Sequence, residues 1–182
     1  MKFVETPLKD VYLLEPTVFG DQRGFFMETW NREAFRAAGF DLDFVQDNHS
    51  RSAHGILRGL HFQTERTQGK LVRVTSGEVF DVAVDLRQSS PTLGQWFGVS
   101  VSDENQRMLW VPPGFAHGFY VTSDYADFIY KCTDIYHPAS EHTLAWNDPT
   151  VGIKWPVPAG ETPQLSAKDA EGLSWNKCPR FD

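Results

Sequence analysis

Two histidines stand in settings that suit proton transfer. His61 lies in Leu57-Arg58-Gly59-Leu60-His61-Phe62-Gln63, where an imidazole and a guanidinium interrupt an apolar run. His117 closes Pro112-Pro113-Gly114-Phe115-Ala116-His117. An unperturbed imidazole titrates near ~6.5, so either can take or give a proton at neutral pH. Each also has a plain structural reading. His61 can be a core or rim histidine held by a backbone carbonyl, and His117 can simply open a strand after a Pro/Gly turn. Arg23 and Arg58 carry the planar fork that grips a phosphate, although surface charge is the usual fate of an arginine. Tyr130 and Tyr136 share one strand face if their strand is unbroken, and core packing accounts for either ring alone.

Several chemistries are poorly supported. Gln68-Gly69-Lys70 is not a phosphate-binding loop, because the spaced glycine before it and the Ser/Thr after it are missing. There is no GxGxxG and no Gly-x-Ser-x-Gly elbow, and Cys132 and Cys178 lie far apart and outside any CxxC pattern. Pro112-x-Gly114-x-x-His117 resembles part of the second cupin motif, and cupins are jelly rolls. Many cupins hold a metal with a His-x-His pair, a glutamate and this late histidine. Here position 63 is Gln63, and Glu65 sits too close to complete a set of convergent ligands. A metal-free cupin without a cofactor is therefore the expectation.

The elements that must position these residues read as β-structure. Lys70–Leu86 alternates strongly and predicts two strands joined as a hairpin at Ser76-Gly77. On the second strand Phe80, Val82, Val84 and Leu86 take one face, while Val79, Asp81, Ala83 and Asp85 take the other. Further strands are expected at Gln95–Val101, Met108–Val111, Phe119–Thr122 and Phe128–Thr133, separated by turn clusters, which suits a sandwich or barrel. One short helix is predicted after Asn31 as cap, with Glu33 in its first turn and Gly39 ending it. The tail from Ile153 carries Pro156, Pro158 and Pro163 and is expected to wrap the surface, with one helical turn near Ser166–Asp169.

Composition agrees with one domain spanning residues 1–182. The chain is 41% hydrophobic and 14% aromatic, without repeats or a second compositional regime. Seventeen Lys+Arg against 24 Asp+Glu leave a net charge of −7, which argues against nucleic acid or anionic membrane as a partner. No apolar run approaches the ~20 residues of a membrane span. Met1–Asp10 lacks an apolar signal core, and two distant cysteines suit free thiols, so a cytoplasmic setting is expected.

Seven ordered blocks together resemble one family over nearly the whole chain. They are Val18–Phe26, Phe44–Ser50, Leu57–Gln63, Gln68–Arg73, Gly77–Asp85, Gly114–Phe119 and Leu165–Asp169. All are similar to dTDP-4-dehydrorhamnose 3,5-epimerases. The resemblance implies an all-β cupin double-stranded β-helix with a few short helices. It also implies no metal, a homodimer with exchanged strands, and a dTDP-4-keto-6-deoxyhexose substrate. The reaction implied is epimerisation at C3 and C5 on the route to activated L-rhamnose, upstream of a reductase that removes the 4-keto group.

The family's residues carry over by position. The catalytic histidine matches His61, its carboxylate partner Asp169, the tyrosine acid Tyr130 and a catalytic-side lysine Lys70. Substrate contacts match Arg23, Glu28, Gln46, Asn48, Arg58, His117, Glu141 and Lys168, and the stacking aromatic matches Tyr136. The ketone at C4 acidifies the C3 and C5 hydrogens, so a base on one face and a phenol on the other suit the chemistry. Three alternatives stay open at this point: an epimerase acting at one carbon, a 3,4-ketoisomerase, and a non-catalytic jelly roll that binds nucleotide sugars.

Overall fold

The computed structural model describes residues 1–182. In chain order the elements are β1 (Lys2–Glu5), β2 (Tyr12–Glu15), β3 (Val18–Asp21), β4 (Gly24–Met27), α1 (Arg32–Ala37), β5 (Gln46–Ala53), β6 (Leu57–Gln63) and β7 (Lys70–Ser76). They continue with β8 (Glu78–Asp85), β9 (Trp96–Ser102), β10 (Met108–Val111), β11 (Phe115–Val121), β12 (Tyr125–Cys132), β13 (Glu141–Thr143) and α2 (Ala167–Ala170). Two antiparallel sheets face each other. One is six-stranded, in the order β1-β2-β10-β7-β12-β5, and the other is five-stranded, in the order β13-β6-β11-β8-β9. This is a jelly roll, as expected from the alternation and the resemblance. β3 and β4 pair only with each other and form a separate two-stranded ribbon.

The core between the sheets is built by parity. From β8, Val79 and Ala83 point inward and join Val72, Val74 and Phe128 of the opposite sheet. Phe119 stacks on Phe128 across the gap, with ring centroids 4.2 Å apart. Val82, Val84 and Leu86 point the other way and meet Leu144, Val151 and Cys178. That outer face is covered by the tail, whose Trp155, Trp175 and Phe181 pack onto it. The proline-rich tail thus wraps the sheet as expected, and β8 is buried on both sides.

The expected hairpin at Ser76-Gly77 is not formed. β7 and β8 belong to different sheets, and the chain turns a corner between them. Only Gly77 separates the two strands, with φ at 77°. A Cβ there would lie 1.9 Å from the Tyr125 carbonyl oxygen, so a side chain does not fit. The corner sends the second half of one alternating run into the facing layer, a known route by which strands switch sheets. α1 matches its expected place: Asn31 caps it by accepting from the Glu33 and Ala34 amides.

The remaining strands differ in instructive ways. Met108–Val111 coincides with its expected bounds, and β9 and β12 lie within a few residues of theirs. β11 begins at Phe115, so His117 sits inside it rather than at its start. β12 ends at Cys132, so Tyr130 and Tyr136 do not share an unbroken strand. β5 was not anticipated, because its sequence QDNHSRSA is polar up to its last residue.

Candidate active site

β6 and β11 lie side by side in the five-stranded sheet, and His61 and His117 are direct cross-strand partners. The strands approach closely because glycines meet where they cross. A Cβ on Gly59 would lie 2.5 Å from Gly118 Cα, and one on Gly118 would lie 2.5 Å from the Arg58 carbonyl. Both imidazoles therefore project from one wall of a cleft of about 320 Å³. The facing sheet supplies Gln46 and Asn48 from β5, Lys70 from β7 and Tyr130 from β12. Arg58, Tyr136, Glu141 and Lys168 complete the rim. Sequence-separated residues thus converge because two sheets place alternate positions of several strands on one inner surface.

His61 is tied from behind. Its Nε2 lies 2.5 Å from Asp169 Oδ1, and Asp169 is 3% exposed. The carboxylate is saturated: Ser166 Oγ donates to Oδ2 (2.7 Å) and the Gly59 amide donates to Oδ1 (3.4 Å). Ser166 also caps α2 by accepting from the Asp169 amide. The tail is held in place by Leu57 N donating to Gln164 O (3.0 Å) and Gln164 N donating to Gly55 O (2.8 Å). The wrapping tail thus delivers the carboxylate to β6.

Burial pushes the His61 pKa below its ordinary value, with Lys168 and Lys70 adding to the effect and Asp169 opposing it. Burial pushes the Asp169 carboxyl upward, but hydrogen bonds from His61 and Ser166 bring it below the usual value. The pair is thus a neutral imidazole against a carboxylate. In that state Nε2 carries the proton and donates it as a hydrogen bond to Asp169, which leaves Nδ1 with its lone pair and no protein partner.

Tyr130 is held in its acid form. Burial raises its pKa to about 12, with nearby negative groups adding to the shift. Lys70 makes no ion pair with any carboxylate, and burial pushes its ammonium below the usual lysine value. An unpaired ammonium in a cleft is costly unless a ligand supplies the negative charge. Glu141 accepts from Tyr136 Oη (2.8 Å) and from Lys168 Nζ (2.9 Å). Burial raises its pKa, but these two partners lower it further, so it stays ionised. Arg58 is steadied by donating to Ser52 Oγ (2.9 Å).

Two expected contacts lie elsewhere. Arg23 sits on the β3–β4 ribbon and pairs with Asp21, while Glu28 accepts from Asn31 Nδ2 (3.0 Å). Neither lines the cleft of its own chain. Two features escaped the sequence reading. Asp81 is fully buried beneath His117, with Oδ1 2.8 Å from Nε2 and Oδ2 without a partner. Its signal was present: a charged residue between Val79 and Ala83 on an apolar strand face. Gln63 is the second, and its amide is spent on backbone groups: it donates to Arg66 O and Ile135 O and accepts from His137 N. The position that would hold a metal ligand in many cupins thus fastens loops. No group of three or more His, Cys, Asp or Glu side chains converges anywhere in the chain.

The relatives of this chain point the same way as the geometry. A family model described as dTDP-4-dehydrorhamnose 3,5-epimerase matches residues 5–177. A protein of that name from Pseudomonas aeruginosa is 57% identical over 182 residues, covering 100% of this chain and 99% of its own length. Another from Salmonella typhimurium is 56% identical over 172 residues, covering 93% of each. The crystal structure of dTDP-6-deoxy-D-glucose-3,5-epimerase from Legionella pneumophila, in complex with dTDP-4-keto-L-rhamnose, superposes with a TM-score of 0.94 at 51% identity. It covers 100% of this chain and 98% of that one. By sequence along its whole length and by fold, this chain belongs to the dTDP-4-dehydrorhamnose 3,5-epimerase family.

Proposed function

We propose that the chain converts dTDP-4-dehydro-6-deoxy-D-glucose to dTDP-4-dehydro-L-rhamnose by inverting C3 and C5. The observation that carries this reading is the His61–Asp169 pair, with a free Nδ1 on one cleft wall and a protonated Tyr130 on the facing wall. His61 Nδ1 removes a proton next to the C4 ketone, and the electron pair moves into the enolate. Asp169 keeps the imidazole in its tautomer and stabilises the imidazolium that forms. Tyr130 then gives its proton to the carbon from the other side. Exchange with water returns His61 and Tyr130 to their starting states before the second centre is inverted. Lys70 offsets the charge that grows on O4, a contribution typically worth about 3–4 kcal/mol for one well-placed donor.

Binding of the remote nucleotide positions the sugar. Arg58, Gln46, Asn48, His117 and Lys168 hold the polar parts, and Tyr136 stacks against a flat ring. Arg23 and Glu28 join the site from a second copy of the chain. The support for this exchange is the ribbon itself, which leaves Phe19 64%, Phe25 61% and Phe26 69% exposed while carrying Arg23 away from its own cleft. Residues 1–182 act as one cupin domain in the cytoplasm. Both cysteines are free and buried, and no helix is long and apolar enough to cross a membrane.

The test is incubation with dTDP-4-keto-6-deoxyglucose in deuterated water. Proton NMR is expected to show deuterium at both C3 and C5 and an inverted product. Deuterium at one carbon only would make the chain a single-site epimerase. A shifted carbonyl would make it a ketoisomerase, and no exchange would leave a binding protein.

A further inference from the structure

Asp134–His137 leaves β12 and carries Tyr136 to the mouth of the cleft. The segment belongs to no strand or helix. Its one main-chain hydrogen bond runs from Ser140 N to His137 O (3.1 Å). Glutamine side chains supply what a neighbouring strand would otherwise give. Gln68 Nε2 donates to Asp134 O (2.8 Å), Gln63 Nε2 donates to Ile135 O (3.3 Å), the Tyr136 amide donates to Gln46 Oε1 (2.8 Å), and the His137 amide donates to Gln63 Oε1 (3.0 Å).

Gln63 is the centre of this clamp. It is 5% exposed, and its Nε2 also donates to Arg66 O (2.7 Å), so one amide joins the 64–69 loop to the Tyr136 segment. Gln63 lies two residues after His61 and so faces the same side of β6. It is also the register partner of Glu141, which accepts the Tyr136 hydroxyl. Tyr136 is thereby held at its backbone by Gln46 and Gln63 and at its ring by Glu141, although 49% of the residue is exposed. An exposed ring with no strand beneath it would otherwise sample many positions, and ordering it would weaken every ligand that stacks on it.

We infer that Gln63 is a positioning residue for the nucleotide half of the substrate, acting through Tyr136. Gln46 and Gln68 share the task. This rests on the reading that Tyr136 stacks on the nucleotide base. The clamp presents the ring in its binding position before the ligand arrives, so Gln63 sets how tightly the nucleotide is held more than how fast the proton moves.

The test is a double-mutant cycle with dTDP as the titrant, read by calorimetry. Gln63→Met keeps the length of the side chain and removes all three hydrogen bonds. It is expected to weaken dTDP binding roughly tenfold, the scale of a few lost neutral hydrogen bonds. Tyr136→Ala weakens it at least as much, and the double variant binds no worse than Tyr136→Ala alone. In turnover, Gln63→Met raises KM by more than it lowers kcat. Effects that multiply in the double variant, or wild-type affinity in Gln63→Met, would overturn the inference. Unchanged affinity in Tyr136→Ala would instead remove the stacking on which it rests. If Gln63→Met does not fold, Gln68→Met in the outer loop runs the same cycle with the same expected pattern.

Discussion

Two His–Asp pairs stand next to each other on the same sheet, and they are built differently. Asp169 reaches His61 from the wrapping tail, and both of its oxygens are hydrogen-bonded. Asp81 reaches His117 from the adjoining strand β8, and its second oxygen is buried without a partner. His61 keeps 24% of its side chain exposed, whereas His117 keeps 7%. The saturated carboxylate with an open imidazole is the arrangement of a base. A histidine closed in by its neighbours, on a carboxylate with an unmet oxygen, suits a fixed contact that meets its ligand at the cleft floor. Under the proposed mechanism, identical residue types are given different work by what surrounds the carboxylate.

The largest effect expected from this contrast is between two matching substitutions. Asp169→Asn removes the group that fixes the His61 tautomer, and kcat is expected to fall by roughly 10²–10⁴, the usual range for disabling a general base. Asp81→Asn is expected to act mainly on KM, with a fall in kcat at least tenfold smaller than that of Asp169→Asn. Steady-state kinetics on the two variants side by side checks this. Equal losses in kcat would mean that the pairs are not functionally distinct.

The pH profile sharpens the comparison. His61 has its pKa lowered by burial, so kcat/KM is expected to hold down to below pH ~6.5 before it falls as the base is protonated. Tyr130 remains protonated up to about 12, so it supplies no alkaline loss in the working range. On the proposed mechanism an alkaline limb is expected from Lys70, whose ammonium burial brings below the usual lysine value. Lys70→Arg is expected to remove that limb because a guanidinium does not deprotonate there. An acid limb above the ordinary histidine value would contradict the assignment of a buried neutral base.

The smallest effect concerns a carboxylate outside the cleft. Asp127 is gripped by Arg51 and His49, and the Arg51 hydrogen bond is the main cause of a pKa lowered to about 2, with burial pushing the other way and the His49 hydrogen bond adding to the lowering. A carboxyl with a depressed folded pKa stabilises the fold above its unfolded value of ~3.9 and loses that contribution as pH falls through the folded one. The urea midpoint of Arg51→Met is therefore expected to lie modestly below wild type at pH 6, with the gap closing toward pH 2. Turnover of Arg51→Met at pH 7 is expected to match wild type. A gap that persists at pH 2 would show that Arg51 acts by packing on Tyr125 instead.

Parts of this arrangement were legible in the residues. The two faces of β8 follow from simple alternation, and Asn31, Gly39 and Ser166 announce their helix ends by type. His61 and Asp169 are 108 positions apart, and no local pattern joins them. Their pairing follows only from matching family blocks, because it depends on a tail that wraps a sheet. The hairpin expectation at Gly77 failed because alternation reports which side chains share a face and not which neighbour a strand chooses. β5 was illegible for the opposite reason. Its residues Gln46, Asn48 and Ser50 line a polar cleft, so the apolar half of the alternating signal is missing.

The division of labour between His61 and Tyr130 is tested most directly by solvent deuterium exchange in two variants. His61→Asn is expected to incorporate no deuterium at C3 or C5 of dTDP-4-keto-6-deoxyglucose. Tyr130→Phe is expected to exchange deuterium while failing to complete inversion, because the proton still leaves but does not return from the other side. Exchange at the wild-type rate in His61→Asn, or normal inversion by Tyr130→Phe, would contradict the account.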